Sequence, residues 1–346
     1  MKTVLAVLFG GQASEHPVSL MSAASMLENL SSEYELYLVG ITRDGRWYHY
    51  SGPISSIEND QWEQYPDNKA VILSPNRDVH GFVELPDGSI RSVDVIFPLL
   101  HGRYGEDGML PALCELAGIP YVATNMTSSA LAMDKHYTHI IAESAGIPMA
   151  RWIVMERKNA DLEAARKQAE AEFGYPFYVK PCREGSSFGC HKISSAEEFA
   201  EKVSDAFRYD DKILLEEFID GYEVGAGVMG YDTVGEVFEI IVASEMYGFA
   251  EKYDGFKTVI NTPATTLSAD RMAQIRQQAL KLHRLFGCDI MSRVDFFMSS
   301  KGLIFNEINT MPGFTSHSLF PASFRAQGWS YQDLLDKLIE LARERG

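Results

Sequence analysis

The chain has 346 residues, 46% hydrophobic and 23% charged, an ordinary globular composition with length enough for more than one domain. Its formal net charge of -17 argues against nucleic-acid or anionic-membrane partners, because both need basic patches. Four cysteines, Cys114, Cys182, Cys190 and Cys288, form no C-x-x-C pair and have no His-rich spacing, so neither a zinc site nor a disulfide framework is suggested and a reduced cytosolic compartment fits best.

The opening MKTVLAVLFGG reads as a buried first strand ending in a glycine turn. It imitates a signal peptide, but its apolar run is short and no small-residue cleavage site precedes SEHPVSL. No apolar run approaches the ~20 residues that a membrane-crossing helix needs. An amphipathic helix over SLMSAASMLENL follows, then the strands YELYLVGIT and VDVIFPLLHG, then MLPALCELAGIPYV as helix and strand. This alternation predicts an open, mostly parallel α/β sheet over residues 1–123, with ligand-facing loops at the strand ends GGQASEH and HGRYGEDG.

A second unit is expected over residues 124–219, opening with the helical SSALAMDKHYTHIIAESAG. Within it, VKPCREGSSFG puts Lys180 at a strand end before a Gly/Ser loop. The loop is not a P-loop, yet small residues of this kind can turn N-H groups and hydroxyls toward phosphates; an ordinary turn is the competing reading. ILLEEFIDGYE places Glu216 and Glu217 at another strand end, where an apolar slot with a few polar groups would suit adenine.

The third unit, residues 220–346, reads as an antiparallel sheet with the helix ADRMAQIRQQALKLHRLFG and a terminal amphipathic helix, WSYQDLLDKLIELARERG. Its RVDFFMSSKGLIFNEINT predicts a hairpin with its turn near Lys301 and with Asp295 opposite Glu307. Glu307 and Asn309 then share a face. Two carboxylates and an amide on one hairpin repel one another unless something positive lies between them. Hard oxygen donors suit Mg²⁺ bridging nucleotide phosphates. A solvated hairpin face is the alternative.

Nine stretches together resemble the D-alanine:D-alanine ligase family, of ATP-grasp architecture: LFGGQASEHPVSL, FPLLHGRYGEDG, ALAMDKHYT, VKPCREGSSFG, LLEEFIDGYE, EKYDGF, RVDFF, NEINTMPGFTSHSLFP and the terminal helix. The resemblance implies an N-terminal Rossmann-like α/β domain and two lobes that sandwich ATP. It implies the joining of two D-alanines through a D-alanyl phosphate, for a peptidoglycan precursor, in a cytoplasmic homodimer that uses Mg²⁺ or Mn²⁺, two ions being expected. By the resemblance, Glu15 holds the ammonium of the first D-alanine and His101 lies against it. Ser186 and Tyr253 form with Glu15 a hydrogen-bonded closure, and Arg293 with the Gly313 N-H stabilises the oxyanion of the tetrahedral intermediate. Ser318 and Leu319 meet the second substrate. Lys135, Lys180, Ser187, Lys252 and Asn306 fall to the nucleotide, with Glu216, Glu217, Phe218, Ile219 and Glu223 around adenine and ribose. Asp295, Glu307 and Asn309 hold the metal.

The chain departs from the family pattern at Pro17, where Glu is usual, at Glu217, at Asn306 and in the segment after Tyr253. Rival readings are a D-alanine:D-serine or D-alanine:D-lactate ligase of the glycopeptide-resistance type, and a non-catalytic nucleotide-binding regulator. Tyr253 and Leu319 favour D-alanine as acceptor, and retention of Glu15, Arg293 and the metal set favours an enzyme.

Overall fold

The computed structural model describes residues 2–242, 258–315 and 317–345. Among them no helix is long and apolar enough to cross a membrane. The first sheet has seven strands, β1 (Thr3–Gly10), β2 (Tyr34–Ile41), β3 (Trp47–Tyr50), β4 (Lys69–Leu73), β5 (Gly81–Glu84), β6 (Ile90–Ser92) and β7 (Val95–Pro98), in the order β6-β5-β4-β3-β2-β1-β7. The run Leu5–Phe9 is fully buried, as expected of a central parallel strand covered on both faces. Of the mostly parallel sheet anticipated, the parallel pairings are those of β2-β1-β7. The other pairings, β2 to β6 in succession, are antiparallel. The connections β2–β3, β4–β5 and β5–β6 are too short for the crossover that a parallel pair requires, whereas the longer β3–β4 connection, with its short helix Ile54–Glu58, returns the chain antiparallel.

The second sheet contains β8 (Trp152–Glu156), β9 (Phe177–Pro181), β10 (His191–Ile193) and β11 (Lys212–Glu217), in the antiparallel order β10-β9-β11-β8. The third contains β12 (Gly221–Met229), β13 (Thr233–Val234), β14 (Phe238–Val242), β15 (Thr258–Asn261), β16 (Met291–Ser299) and β17 (Gly302–Asn309). Its order is β15-β14-β12-β16-β17, with β13 on β12.

The packing groups do not follow chain order. Helices Met126–Met133 and Lys135–Ser144 contribute Ala132 and Ala142 to the core of the third sheet. The terminal helix Tyr331–Arg345 buries Leu334, Leu335, Leu338, Ile339 and Ala342, a helical stripe, in the core of the first sheet. Phe314 bridges the same two regions, edge-on to Phe97 at 5.4 Å. These contributions cross the boundaries expected at 219/220 and 123/124. They tie the loops after β1, β7 and β17 together, and the candidate site lies there.

Candidate active site

The hairpin β16/β17 forms as the sequence predicts. Asp295 lies opposite Glu307 and Arg293 opposite Asn309, so all four side chains belong to one face. A β-bulge follows, because Phe296 pairs with Phe305 and Asn306 is the extra residue. Strict alternation would put Phe305 on the carboxylate face. The bulge resets the phase, and Phe305 and Ile308 both enter the core, 2% and 3% exposed.

Arg293 grips Asp295 through two contacts, Nε to Oδ1 at 2.9 Å and Nη2 to Oδ2 at 2.7 Å. Asn309 donates to Asp295 Oδ2 at 3.0 Å and to Glu307 Oε1 at 3.3 Å. The charge between the carboxylates is therefore partly met by the chain itself. Burial works against the Arg293 cation, but Asp295 outweighs it and holds its pKa above the ordinary arginine value. Among the described residues, no group of three or more His, Cys, Asp or Glu is placed to hold a metal. Two carboxylates and one amide, turned to present its carbonyl, make a partial oxygen shell that fits a Mg²⁺ whose remaining ligands are phosphate oxygens and water.

Glu15 ends the loop after β1 at the start of helix His16–Asn29. It is 4% exposed; Ser14 donates to its Oε2 at 3.0 Å, while Oε1 is buried without a partner. A buried bare carboxylate oxygen is costly, which marks this atom as a place for a cationic or N-H donor. Two loops close on it. A Cβ at Gly102, in the loop after β7, would lie 2.5 Å from Oε2, and one at Gly185 would lie 2.6 Å from Oε1. Among the described residues no hydrogen bond joins Glu15 to Ser186 directly; the expected closure also involves Tyr253, which lies outside them. Ser186 and Ser187 instead turn the loop with left-handed φ values of 48° and 61°.

His101 is buried with both ring nitrogens engaged, Nε2 by Ser22 Oγ and Nδ1 by the Met311 carbonyl oxygen, each at 3.1 Å. It ties the loop after β7 to the first helix and to the segment after β17. In that last segment, Thr315 N-H donates to Ser318 Oγ at 3.0 Å, and a Cβ at Gly313 would stand 2.9 Å from the same oxygen. Gly313 and Ser318 thus meet just before helix Leu319–Arg325, which Leu319 opens.

Lys135, after its cap Asp134, reaches the Glu184 carbonyl oxygen at 2.7 Å. Lys180, at the end of β9, contacts Glu216 Oε2. Burial penalises the Glu216 charge, but Lys180 and a hydrogen bond from His139 outweigh it and hold its pKa at about 2. The Glu216 side chain therefore serves a lysine, while its backbone lies between Trp152 and Tyr178 of the flanking strands. Glu217 is likewise engaged, by Arg151 at 2.9 Å and Lys301 at 3.2 Å. The Arg151 hydrogen bond leads in lowering its pKa to about 2. At the end of β11, Phe218 lies 6.2 Å from the Tyr178 ring and under the Lys192 ammonium at 4.8 Å, with Ile219 next in the chain. Glu223 is on neighbouring β12. Tyr253 and Lys252 lie outside the described residues.

Two residues that the sequence reading passed over belong to this region. Glu184 carries a carboxyl pushed up to about 7, first by burial and then by the nearby Glu15 charge. Its signal was its place inside CREGSS. His139 stands one helical turn after Lys135, a spacing that puts both on one helix face.

Comparisons with known proteins agree along the whole chain. Residues 4–124 match the family described as D-ala D-ala ligase N-terminus, and residues 141–340 the one described as D-ala D-ala ligase C-terminus. The D-alanine–D-alanine ligase of Acetivibrio thermocellus is 41% identical, covering 98% of this chain and 95% of the relative. That of Clostridium novyi is 36% identical over 100% and 99%. Among solved structures, the VanG D-Ala:D-Ser ligase from Enterococcus faecalis superposes with a TM-score of 0.90 at 41% identity, covering 99% of this chain and 100% of that one. The D-alanine-D-alanine ligase from Coxiella burnetii gives 0.86 at 31% identity, over 99% and 96%.

Proposed function

Since the chain belongs to the D-alanine:D-alanine ligase family, we propose that it joins two D-alanine molecules at the expense of ATP, supplying D-alanyl-D-alanine for a peptidoglycan precursor. The ATP γ-phosphoryl group passes to the carboxylate of the first D-alanine, giving an acyl phosphate and ADP. The amine of the second D-alanine attacks the acyl carbon, the amine gives up a proton, and inorganic phosphate leaves with the former acyl C-O electrons. The observation that carries this reading is the meeting of the buried, unpartnered Glu15 Oε1 with the Gly185 loop, the loop that follows Lys180. An anion aimed at a phosphate-type loop suits an amino acid whose ammonium is held while its carboxylate is phosphorylated.

In this reading Glu15 takes the first ammonium, and Lys135 and Lys180 meet the phosphates. Arg293 and the Gly313 N-H face the oxyanion, whose stabilisation by one donor is typically worth about 3 kcal/mol. Ser318 and Leu319 border the second substrate. The nucleotide lies between the lobes 124–219 and 220–346, and Asp295, Glu307 and Asn309 would hold one or two Mg²⁺ or Mn²⁺ ions, which neutralise phosphate charge. His101 acts by fixing the loop beside Glu15. The cytoplasm and a homodimer complete the reading.

The likeness to a D-Ala:D-Ser ligase supports a second reading, D-serine as acceptor. Leu319 favours D-alanine, since an apolar wall suits a methyl group and leaves a hydroxyl without a partner. The test is ADP release with ATP, Mg²⁺ and D-alanine, alone and with equimolar D-serine or D-lactate, the products identified by mass. D-alanyl-D-alanine as main product supports the first reading; predominant D-alanyl-D-serine replaces it with the second; no ADP release with any acceptor overturns both.

A further inference from the structure

His139 takes no part in the reaction just described, yet it is 2% exposed and fixed at both ring nitrogens. Its Nδ1 lies 2.7 Å from the Lys135 carbonyl oxygen and its Nε2 2.9 Å from Glu216 Oε1. Both partners accept. A carbonyl oxygen has no hydrogen to give, and Glu216, with its pKa near 2, is ionised at neutral pH. With an ionised carboxylate as its partner, the ring nitrogen facing Glu216 carries the hydrogen and donates it. The second Glu216 oxygen contacts the Lys180 ammonium. The three side chains form one continuous buried chain of polar contacts, with Glu216 itself 5% exposed. Trp152 closes one side, edge-on to His139 at 5.9 Å.

This arrangement bears on how Lys180 changes partner. An ammonium locked to a buried carboxylate cannot turn to a phosphate without stranding that carboxylate, and a stranded buried charge is strongly unfavourable. A second donor already on the carboxylate lowers that obstacle.

We propose that His139 is a positioning residue for nucleotide binding: it keeps Glu216 paired, so that Lys180 can share its ammonium with the phosphates of ATP. The proposal rests on the reading of Lys180 as a phosphate contact. The other ring nitrogen of His139 meets the backbone carbonyl of Lys135, the other proposed phosphate lysine, so one ring steadies both.

The test measures ATP affinity by competition with a fluorescent ATP analogue, together with steady-state KM and kcat and the thermal midpoint. His139→Leu should raise the Kd and KM for ATP about tenfold, the scale of one lost charge-assisted contact, while kcat and the KM for D-alanine change little. Adding Glu216→Gln removes the carboxylate that would trap Lys180, so His139→Leu/Glu216→Gln should recover most of the ATP affinity. His139→Gln, which keeps a donor to Glu216, should fall between. A folded His139→Leu with wild-type ATP affinity overturns the proposal, as does a double variant no better than the single one, which would reduce His139 to packing. Should His139→Leu fail to fold, His139→Gln and His139→Gln/Glu216→Gln make the same comparison. Lys180→Ala separates the two levels: unchanged ATP affinity there overturns the phosphate role of Lys180 itself, whereas a large loss there with none in His139→Leu overturns only the role of His139.

Discussion

Arg293 and Asp295, two residues apart on β16, are locked side by side by a bidentate ion pair of 2.9 and 2.7 Å. One residue belongs to the proposed oxyanion site and the other to the proposed metal site, so each fixes the aim of the other. The charge that Arg293 meets develops only during attack on the acyl phosphate. Arg293→Ala is therefore expected to lower kcat by about a hundredfold or more, with a smaller change in KM. Steady-state kinetics in both substrates check this, and a loss confined to KM reassigns Arg293 to ground-state binding.

Glu307 stands opposite Asp295 in the strand register. Glu307→Gln keeps the shape and removes one of two carboxylates from the proposed metal face, so the thermal midpoint should hold while turnover at saturating D-alanine falls by about tenfold or more. Raising Mg²⁺ should restore part of the loss. Wild-type turnover across a magnesium titration would remove Glu307 from the metal site.

Gly185 leaves room for Glu15. A methyl group there would meet Glu15 Oε1 at 2.6 Å, against the movable end of a side chain. Gly185→Ala should displace the carboxylate and raise the KM for the first D-alanine by about tenfold, because small misplacements at a binding group are costly. The KM for ATP should change less. Equal rises in both would point to a disturbed loop instead.

Glu184 gives a pH signature. Its folded-state pKa is about 7, above the usual glutamate value of 4.5, because burial and the Glu15 charge disfavour the carboxylate. Between these two values the folded chain holds a proton that the unfolded chain has lost, so this group's contribution to stability falls as pH rises through that window. Glu184→Gln removes the penalty. The midpoint difference, variant minus wild type, should therefore be more positive at pH 8 than at pH 5, as thermal melts at the two values would reveal. A difference independent of pH would mean that Glu184 ionises as an ordinary surface carboxylate.

The sequence by itself determined what is local and periodic. Two-residue alternation placed Asp295 opposite Glu307, and helical spacing marked the apolar stripe of the terminal helix, because each depends only on neighbours along the chain. The motif order also carried the family. Tertiary structure decided the rest. The phase shift at Asn306 depends on which side chains the third sheet must bury, and alternation cannot foretell it. The partnership of His139 with Glu216 joins residues 77 positions apart, and Glu15 meets Gly185 across two different lobes of the chain. Glu216 and Glu217 read alike as strand-end carboxylates, yet one serves Lys180 and His139 in the interior and the other pairs with Arg151 and Lys301 near the surface. Adjacent residues on a strand face opposite sides, and what waits on each side is set by distant segments packing against it.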